Sequence, residues 1–332
     1  MEHVAQDYLS YAVVKEEAVR LAVGSFRELA SETIIRHDAD PVAGRLLADA
    51  FSSAALTGTM LGRGERLSVR FGYAGPAGSI VVDAGSDGCL RGFIRNPHVM
   101  EEADSVEVAC GEDGATVRST RSRHGRILRS GESKSAFILP SSALAYHLSV
   151  SEEIESELRC EIELQADPAE PVKNAPGVLL QAMPGCNLSG FDHMRRKLQM
   201  PEAGEILRTR FGSAPEEGVR LLLAFLLERM DLPAFQLQPL PAARFHCGCS
   251  AEALRKTALQ ILGREEIEKL LAENPNPALR CQFCNTEYHF SAADLPYARR
   301  LSPGAIHTCI QSGPDFFYFF SFSTCFFHRF WV

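Results

Sequence analysis

Cys247-Gly248-Cys249 and Cys281-Gln282-Phe283-Cys284, separated by thirty-one residues, constrain this 332-residue chain more than any other feature. Two closely spaced cysteine pairs can offer four soft donors to one tetrahedral ion, with sulfurs ~2.3 Å from zinc. Gly248 lets the first turn fold back sharply enough for both of its neighbours to face that ion. Ser250 then caps a predicted helix with Leu254, Ala258, Ile261 and Leu262 on one face, and Gly263 ends it. A second helix carries Ile267, Leu270 and Leu271 and stops at Asn274-Pro275, while Phe283, Tyr288 and Phe290 are expected to form an apolar shelf beneath the metal. His246 and His289 are alternative ligands, but four cysteines already close the shell. A closed shell leaves no open position for a substrate water, so the site is structural or a switch rather than a catalytic zinc centre.

The first pair favours a switch. A disulfide between cysteines one residue apart closes a cramped ring, which makes it oxidising and easily reduced. Metal-held sulfurs are thiolates, the form that peroxide or hypochlorous acid attacks. Zinc supplies roughly 10–16 kcal/mol of folding energy in small modules of this kind, so oxidation would remove most of what keeps this one folded.

The rest of the composition bounds the setting. Ten cysteines could staple a secreted chain, but Glu2, Asp7, Glu16 and Glu17 interrupt every apolar run at the start, so no signal-peptide core is expected there. A thiol-preserving, cytoplasmic or cytosol-like compartment is the expectation. Cys89, Cys110, Cys160, Cys186, Cys309 and Cys325 are scattered singly and read as small hydrophobes. The formal charge is −8, and between Arg244 and Arg300 eight Lys/Arg stand against seven Asp/Glu, which is not the basic stripe nucleic acid requires.

Upstream, hydrophobic periodicity predicts strands over Asp7–Val14 and Ala18–Val23 and a helix capped by Ser25 and Glu28 running to about His37. Asp40 and Pro41 open a second helix, rich in small residues, that reaches Met60. Leu67–Tyr73, Ser79–Asp83 and Leu90–Arg95 form an antiparallel meander whose glycines serve turns rather than a phosphate loop. The basic cluster Arg118, Arg121, Arg123, His124, Arg126 and Arg129 could meet phosphate but reads better as the polar face of a strand pair. Strands return at Arg159–Gln165 and Val178–Met183 around a proline-rich loop, Asp167–Pro176. Helices then follow at Gly190–Met200, Glu202–Phe211 and Pro215–Met230, the last with Val219, Leu222, Leu223, Phe225 and Leu226 on its apolar side. The fold class expected is α+β: a mixed or antiparallel-sheet core with packed helices, a helical linker and a small zinc-binding domain.

Phe245-His246-Cys247-Gly248-Cys249-Ser250 and Cys281-Gln282-Phe283-Cys284-Asn285, followed by Tyr288 and Phe290, resemble the redox-regulated heat-shock protein 33 chaperones. Pro41-Val42-Ala43, Gly92-Phe93-Ile94-Arg95-Asn96-Pro97 and Gln181-Ala182-Met183-Pro184-Gly185 extend the resemblance over residues 6 to 300 or so. It implies a client-binding core over 1–185, a helical linker over 186–241 and a zinc redox-switch domain over 242–300. It also implies one zinc held by all four cysteines, and a holdase that is inactive while reduced. On oxidation, Cys247–Cys249 and Cys281–Cys284 disulfides would expel zinc, unfold the linker, expose client-binding surface and promote a homodimer. The face at Val219, Leu222, Leu223, Phe225 and Leu226 would then be open to unfolded client proteins. Residues 301–332, with eight of the chain's twenty phenylalanines, have no counterpart in the resemblance and are expected to be a disordered tail.

Two other classes compete. A zinc-ribbon adaptor or nucleic-acid-binding module would share the four cysteines, but the mixed charge around them disfavours it. A thiol oxidoreductase would need Cys281 and Cys284 at the start of a helix in a βαβ unit, and the preceding Pro277-Ala278-Leu279-Arg280 does not provide one. With no nucleophile elbow and no Walker motif, the expectation is a protein that is not an enzyme, needs no nucleotide, and binds neither nucleic acid nor membrane.

Overall fold

Alternation of Leu9, Ala12 and Val14 with more polar neighbours, then the apolar run Leu21-Ala22-Val23, sets two strands at the start of the chain. The computed structural model, which describes residues 7–211, 215–274 and 276–291 and the backbone of Phe320–Ser321, has them as β1 (Tyr8–Val14) and β2 (Val19–Ser25). Helix α1 (Arg27–His37) follows without the Ser25 cap expected from sequence. Ser25 instead ends β2, paired with Tyr8 on one side and Pro176 on the other. The cap comes from Asp7, whose carboxylate accepts the backbone N–H of Glu28 at 3.1 Å and of Leu29 at 2.9 Å. Pairing of β1 with β2 carries Asp7 back to the helix start, where first-turn amides lack partners within the helix.

Helix α2 (Pro41–Gly58) begins as its sequence dictates, with Asp40 Oδ1 accepting from the Ala43 N–H at 2.8 Å. It is buried on nearly every side, which its alanines, glycines and serines permit. The hydroxyls of Ser53 and Thr57 donate back to the carbonyls of Asp49 and Ser53, at 2.6 and 2.9 Å, so they cost little in an apolar interior. Next comes the expected meander, β3 (Glu65–Gly72), β4 (Ser79–Gly85) and β5 (Cys89–Ile94), then a short helix α3 (Val106–Cys110). The basic cluster lies on the hairpin β6 (Ala115–Arg123) and β7 (Arg126–Ser135), as a solvated strand pair. Arg118 pairs with Glu132 across it, Arg123 with Glu65 at 2.6 Å and Arg129 with Glu152 at 3.5 Å.

Helix α4 (Pro140–Ser151) leads to β8 (Ser156–Cys160), β9 (Glu163–Leu164), β10 (Val172–Asn174) and β11 (Pro176–Ala182). The expected loop over Asp167–Pro176 thus contains a strand: Val172 is fully buried and pairs with Leu164. Helices α5 (Leu188–Leu198), α6 (Pro201–Arg210) and α7 (Pro215–Leu227) follow, then two short strands, β12 (Gln238–Leu240) and β13 (Arg244–Phe245). The remainder comprises α8 (Ala251–Glu273), bent at Gly263, and β14 (Ala278–Cys281), β15 (Glu287–His289) and β16 (Phe320–Ser321). Apart from β16, the aromatic tail lies outside the described residues.

The chain divides into two compact units, Met1–His246 and Cys247–Val332. In the first, one sheet runs β12-β1-β2-β11-β8 and is antiparallel throughout; a second runs β13-β5-β4-β3-β6-β7, with only β13 and β5 parallel. Helix α2 packs against both sheets, with Leu46, Leu47, Phe51 and Leu56 fully buried. Gly92 is required there, since a Cβ would stand 2.4 Å from the Val81 carbonyl oxygen and 2.9 Å from the Phe51 ring. β2 and β11 are apolar on both faces. Their other face, with Val19, Leu21, Val23, Val178 and Leu180, is covered by α5–α7. Within that second apolar layer lie Val219, Leu222, Leu223 and Leu226, all buried, while Phe225 is half-buried with the Lys197 ammonium 4.3 Å above its ring.

In the second unit β14 pairs antiparallel with β15 and, through Arg280 and Cys281, with β16. Leu254, Ala258, Ile267, Leu279, Phe283 and Phe290 supply its small buried core. The bend of α8 falls at Gly263 (φ 75°, ψ 171°), where the sequence ends one helix and begins another.

Candidate metal centre

Two turns of backbone build this site. The first is the loop Cys247-Gly248-Cys249, stopped by Ser250, whose hydroxyl accepts the Ala253 N–H at 3.2 Å and starts α8. The second is the turn of the β14–β15 hairpin. There the Asn285 N–H donates to the Cys281 carbonyl at 2.8 Å and the Cys281 N–H donates to the Thr286 carbonyl at 3.0 Å. Asn285 takes the left-handed conformation (φ 60°), which its short polar side chain tolerates better than most. An ion pair between Arg280 and Glu287 closes the hairpin on its exposed side.

The four sulfurs of Cys247, Cys249, Cys281 and Cys284 lie within 4.8 Å of one another, and they are the one such cluster of potential ligands among the described residues. Cys247 Sγ stands 3.8 Å from Cys281 Sγ, and Cys249 Sγ stands 3.3 Å from Cys284 Sγ. Sulfurs ~2.3 Å from a common tetrahedral centre are ~3.8 Å apart, a length that the Cys247–Cys281 separation matches and that the 3.3 Å contact and the 4.8 Å limit of the cluster bracket. Cys281 and Cys284 are buried, and Cys247 and Cys249 half-buried.

Electrostatics also favour a cation. Without one, the thiols must share negative charge unequally. Cys247 is held down to about 4, chiefly because the Cys281 thiol donates to it, helped by the Cys249 backbone and thiol and opposed by burial. Cys249 is pushed up to about 11 by burial and by the Cys284 and Cys247 sulfurs, and Cys281 is pushed up by donating to Cys247 and by burial. A bound dication would let all four be thiolates together. Among the described residues, the single cysteines lack this environment. Cys110 is pushed up to about 12 mainly by burial and Cys160 is raised by burial, so both stay protonated and inert. Cys309 and Cys325 lie outside the described residues.

His246 and His289 are exposed and stand outside the cluster. The apolar shelf is Phe283 and Phe290, 4% and 5% exposed. Tyr288 departs from the expected role: it is half-buried, with its hydroxyl 3.2 Å from Cys249 Sγ and donating to the Cys249 carbonyl at 3.3 Å. Thr286, which the sequence did not single out, places Oγ1 3.3 Å from Cys284 Sγ. Neither hydroxyl could be read from residue spacing, because each depends on the register of the hairpin. The five residues expected to meet clients lie apart from the cysteines in sequence and belong to the first unit, on α7.

Comparison with known proteins gives a consistent picture. The family profile described as Hsp33 protein matches residues 7–291. The 33 kDa chaperonin of Enterococcus faecalis is 30% identical over 303 residues, which cover 87% of this chain and 95% of that protein. The 33 kDa chaperonin of Geobacillus kaustophilus is 29% identical over 308 residues, covering 89% and 98%. Among solved structures, the 33 kDa chaperonin of Thermotoga maritima superposes with a TM-score of 0.72 at 22% identity, covering 88% of this chain and 97% of that one, a likeness of fold.

Proposed function

Because this chain belongs to the Hsp33 family, whose members are chaperones, we propose that it is an ATP-independent holdase for unfolded client proteins, switched on by oxidation of a zinc centre at Cys247, Cys249, Cys281 and Cys284. The observation that carries this reading is the set of four sulfurs within 4.8 Å. Zinc, when bound, would hold all four as thiolates and contribute much of the folding energy of a unit with so small an apolar core. The thiolates are also the reactive form. Oxidation takes two electrons from each pair, forming Cys247–Cys249 and Cys281–Cys284 disulfides while two molecules of peroxide are reduced to hydroxide. Sulfurs bonded to each other no longer serve as ligands, so the chain gives up its metal and the fold around 247–291 fails.

The proposed division has a client-binding core over 1–185, a linker over 186–241 and the switch over 242–300. In the reduced protein Val219, Leu222, Leu223, Leu226 and, in part, Phe225 are covered against the first sheet. Undocking of α5–α7 would bare that stripe and the valine- and leucine-rich sheet face beneath it, which offers unfolded chains an apolar surface. The same exposure would favour a homodimer. The role is that of a binding protein rather than an enzyme. No helix among the described residues is long and apolar enough to cross a membrane, and a centre that depends on reduced thiols suits the cytoplasm.

The test is zinc content, measured with suppression of light scattering by a heat-unfolded client, before and after peroxide or hypochlorous acid and without ATP. Reduced protein should carry about one zinc per chain and suppress poorly; oxidised protein should lose the zinc and suppress aggregation. Zinc retained through oxidation, or suppression that requires ATP, would assign the protein another mode of action.

A further inference from the structure

We propose that the hydroxyls of Tyr288 and Thr286 restrain the Cys249 and Cys284 thiolates and so set the oxidant level at which the metal centre opens. The proposal rests on the reading of that centre as a redox switch. A metal-bound thiolate has no proton, so its sulfur can only accept hydrogen bonds. The Tyr288 hydroxyl, 3.2 Å from Cys249 Sγ, would then share its one proton between that sulfur and the Cys249 carbonyl at 3.3 Å, and the Thr286 hydroxyl, which accepts from a protonated Cys284 thiol at 3.3 Å, would turn its own proton to the sulfur once the thiol has lost its proton. Each cysteine pair thus has one sulfur with a hydroxyl partner. The other member of each pair, Cys247 or Cys281, makes no hydroxyl contact of this kind among the described residues.

The hairpin explains the placement. Tyr288 lies opposite Leu279 in the β14–β15 ladder, and Thr286 closes the turn that carries Cys281 and Cys284. From there the phenol reaches the other cysteine loop and touches both the sulfur and the carbonyl of Cys249. One side chain thereby joins the two halves of the ligand set.

The chemistry follows from what the sulfur must do. A sulfur lone pair attacks one oxygen of hydrogen peroxide, the S–O bond forms as the O–O bond breaks, and hydroxide leaves. The neighbouring thiolate then attacks that sulfur, the S–S bond forms, and the S–O bond breaks with loss of a second hydroxide. Two thiolates are oxidised and one peroxide is reduced. A hydroxyl hydrogen bond to either sulfur occupies a lone pair and stabilises the thiolate before attack, so both steps slow.

Three substitutions in the full-length, zinc-loaded protein test this. Tyr288→Phe keeps the ring and removes the hydroxyl, Thr286→Val keeps the shape, and Thr286→Ser keeps the hydroxyl. The readouts are the second-order rate constant of peroxide-driven zinc release, followed with a chromogenic chelator, and the rate of zinc loss to the chelator without peroxide. Y288F and T286V should each speed the peroxide reaction about three- to ten-fold, with T286S close to wild type and oxidant-free loss unchanged. Wild-type rates in Y288F and T286V overturn the proposal, as does equal acceleration with and without peroxide, which would mean a merely structural role. Wild-type protein that keeps its zinc under peroxide would overturn the switch reading itself, and this proposal with it.

Discussion

Asp49 lies on α2 with 3% exposure, and its carboxylate accepts from the Ser141 backbone N–H at 2.6 Å and the Ser141 hydroxyl at 3.1 Å. It therefore caps α4 from another helix, as Asp7 caps α1 from just before β1. Burial pushes the Asp49 carboxyl up to about 6, against the lowering effect of the two Ser141 bonds. A carboxyl whose folded value lies above its ordinary one favours the fold most when protonated. That contribution is fully present below about pH 4 and is lost as pH rises through about 6. Asp49→Asn keeps an acceptor for Ser141 and cannot ionise. Its urea midpoint should therefore gain on wild type between pH 4 and 7, whereas a constant difference over that range would show that Asp49 does not titrate in it. Neither cap was legible from local sequence, which offered Ser25 and Glu28 for α1. Both acceptors are brought to their helices by tertiary pairing, and no capping box records it.

At the scale of elements, periodicity served well wherever an element has one buried face. The meander, the basic hairpin, α7 and the bend of α8 all lie where the residues place them. Periodicity served less well where burial has no sidedness. β10 hides within a proline-rich stretch, and α2 is enclosed on nearly every side, so its small residues rather than an apolar stripe are its signature. The four clustered cysteines were legible from spacing alone, whereas the hydroxyls of Tyr288 and Thr286 were not. The stripe on α7 supports a further prediction. Leu222 is fully buried against the first sheet, and a carboxylate there would lack a partner, at a cost of several kcal/mol. Leu222→Asp should loosen α5–α7 in reduced protein, leaving one zinc per chain while raising binding of a hydrophobic dye and of unfolded client without oxidant. A variant that still needs oxidation would show that release of this layer is not the limiting event.

At the scale of the whole molecule, the described part of the tail meets the centre where Phe320–Ser321 pair with Arg280 and Cys281. Removing residues 302–332 takes away that pairing but leaves the β14–β15 ladder and all four sulfurs. A chain ending at Leu301 should keep about one zinc and its oxidative activation, and should be more soluble, because the deleted stretch combines high β-propensity with little charge. Loss of zinc on truncation would make the tail part of the centre. The chain leading into Cys247 also has a consequence at this scale. β12 lies along the edge of β1, with Gln238 accepting from the Tyr11 hydroxyl at 2.8 Å. Four residues after β12 ends, β13 lies along the edge of β5, where the Arg244 N–H donates to Gly88 at 2.9 Å and the His246 N–H to Leu90 at 2.7 Å. One short strap thus closes the outer edge of both sheets, with only a few backbone bonds on each, and Cys247 follows immediately. If loss of the metal lets this strap peel, two strand edges open at once, each with a row of amide and carbonyl groups seeking partners. An extended chain could pair with either edge through its backbone whatever its side chains, which would let one protein hold many unrelated sequences.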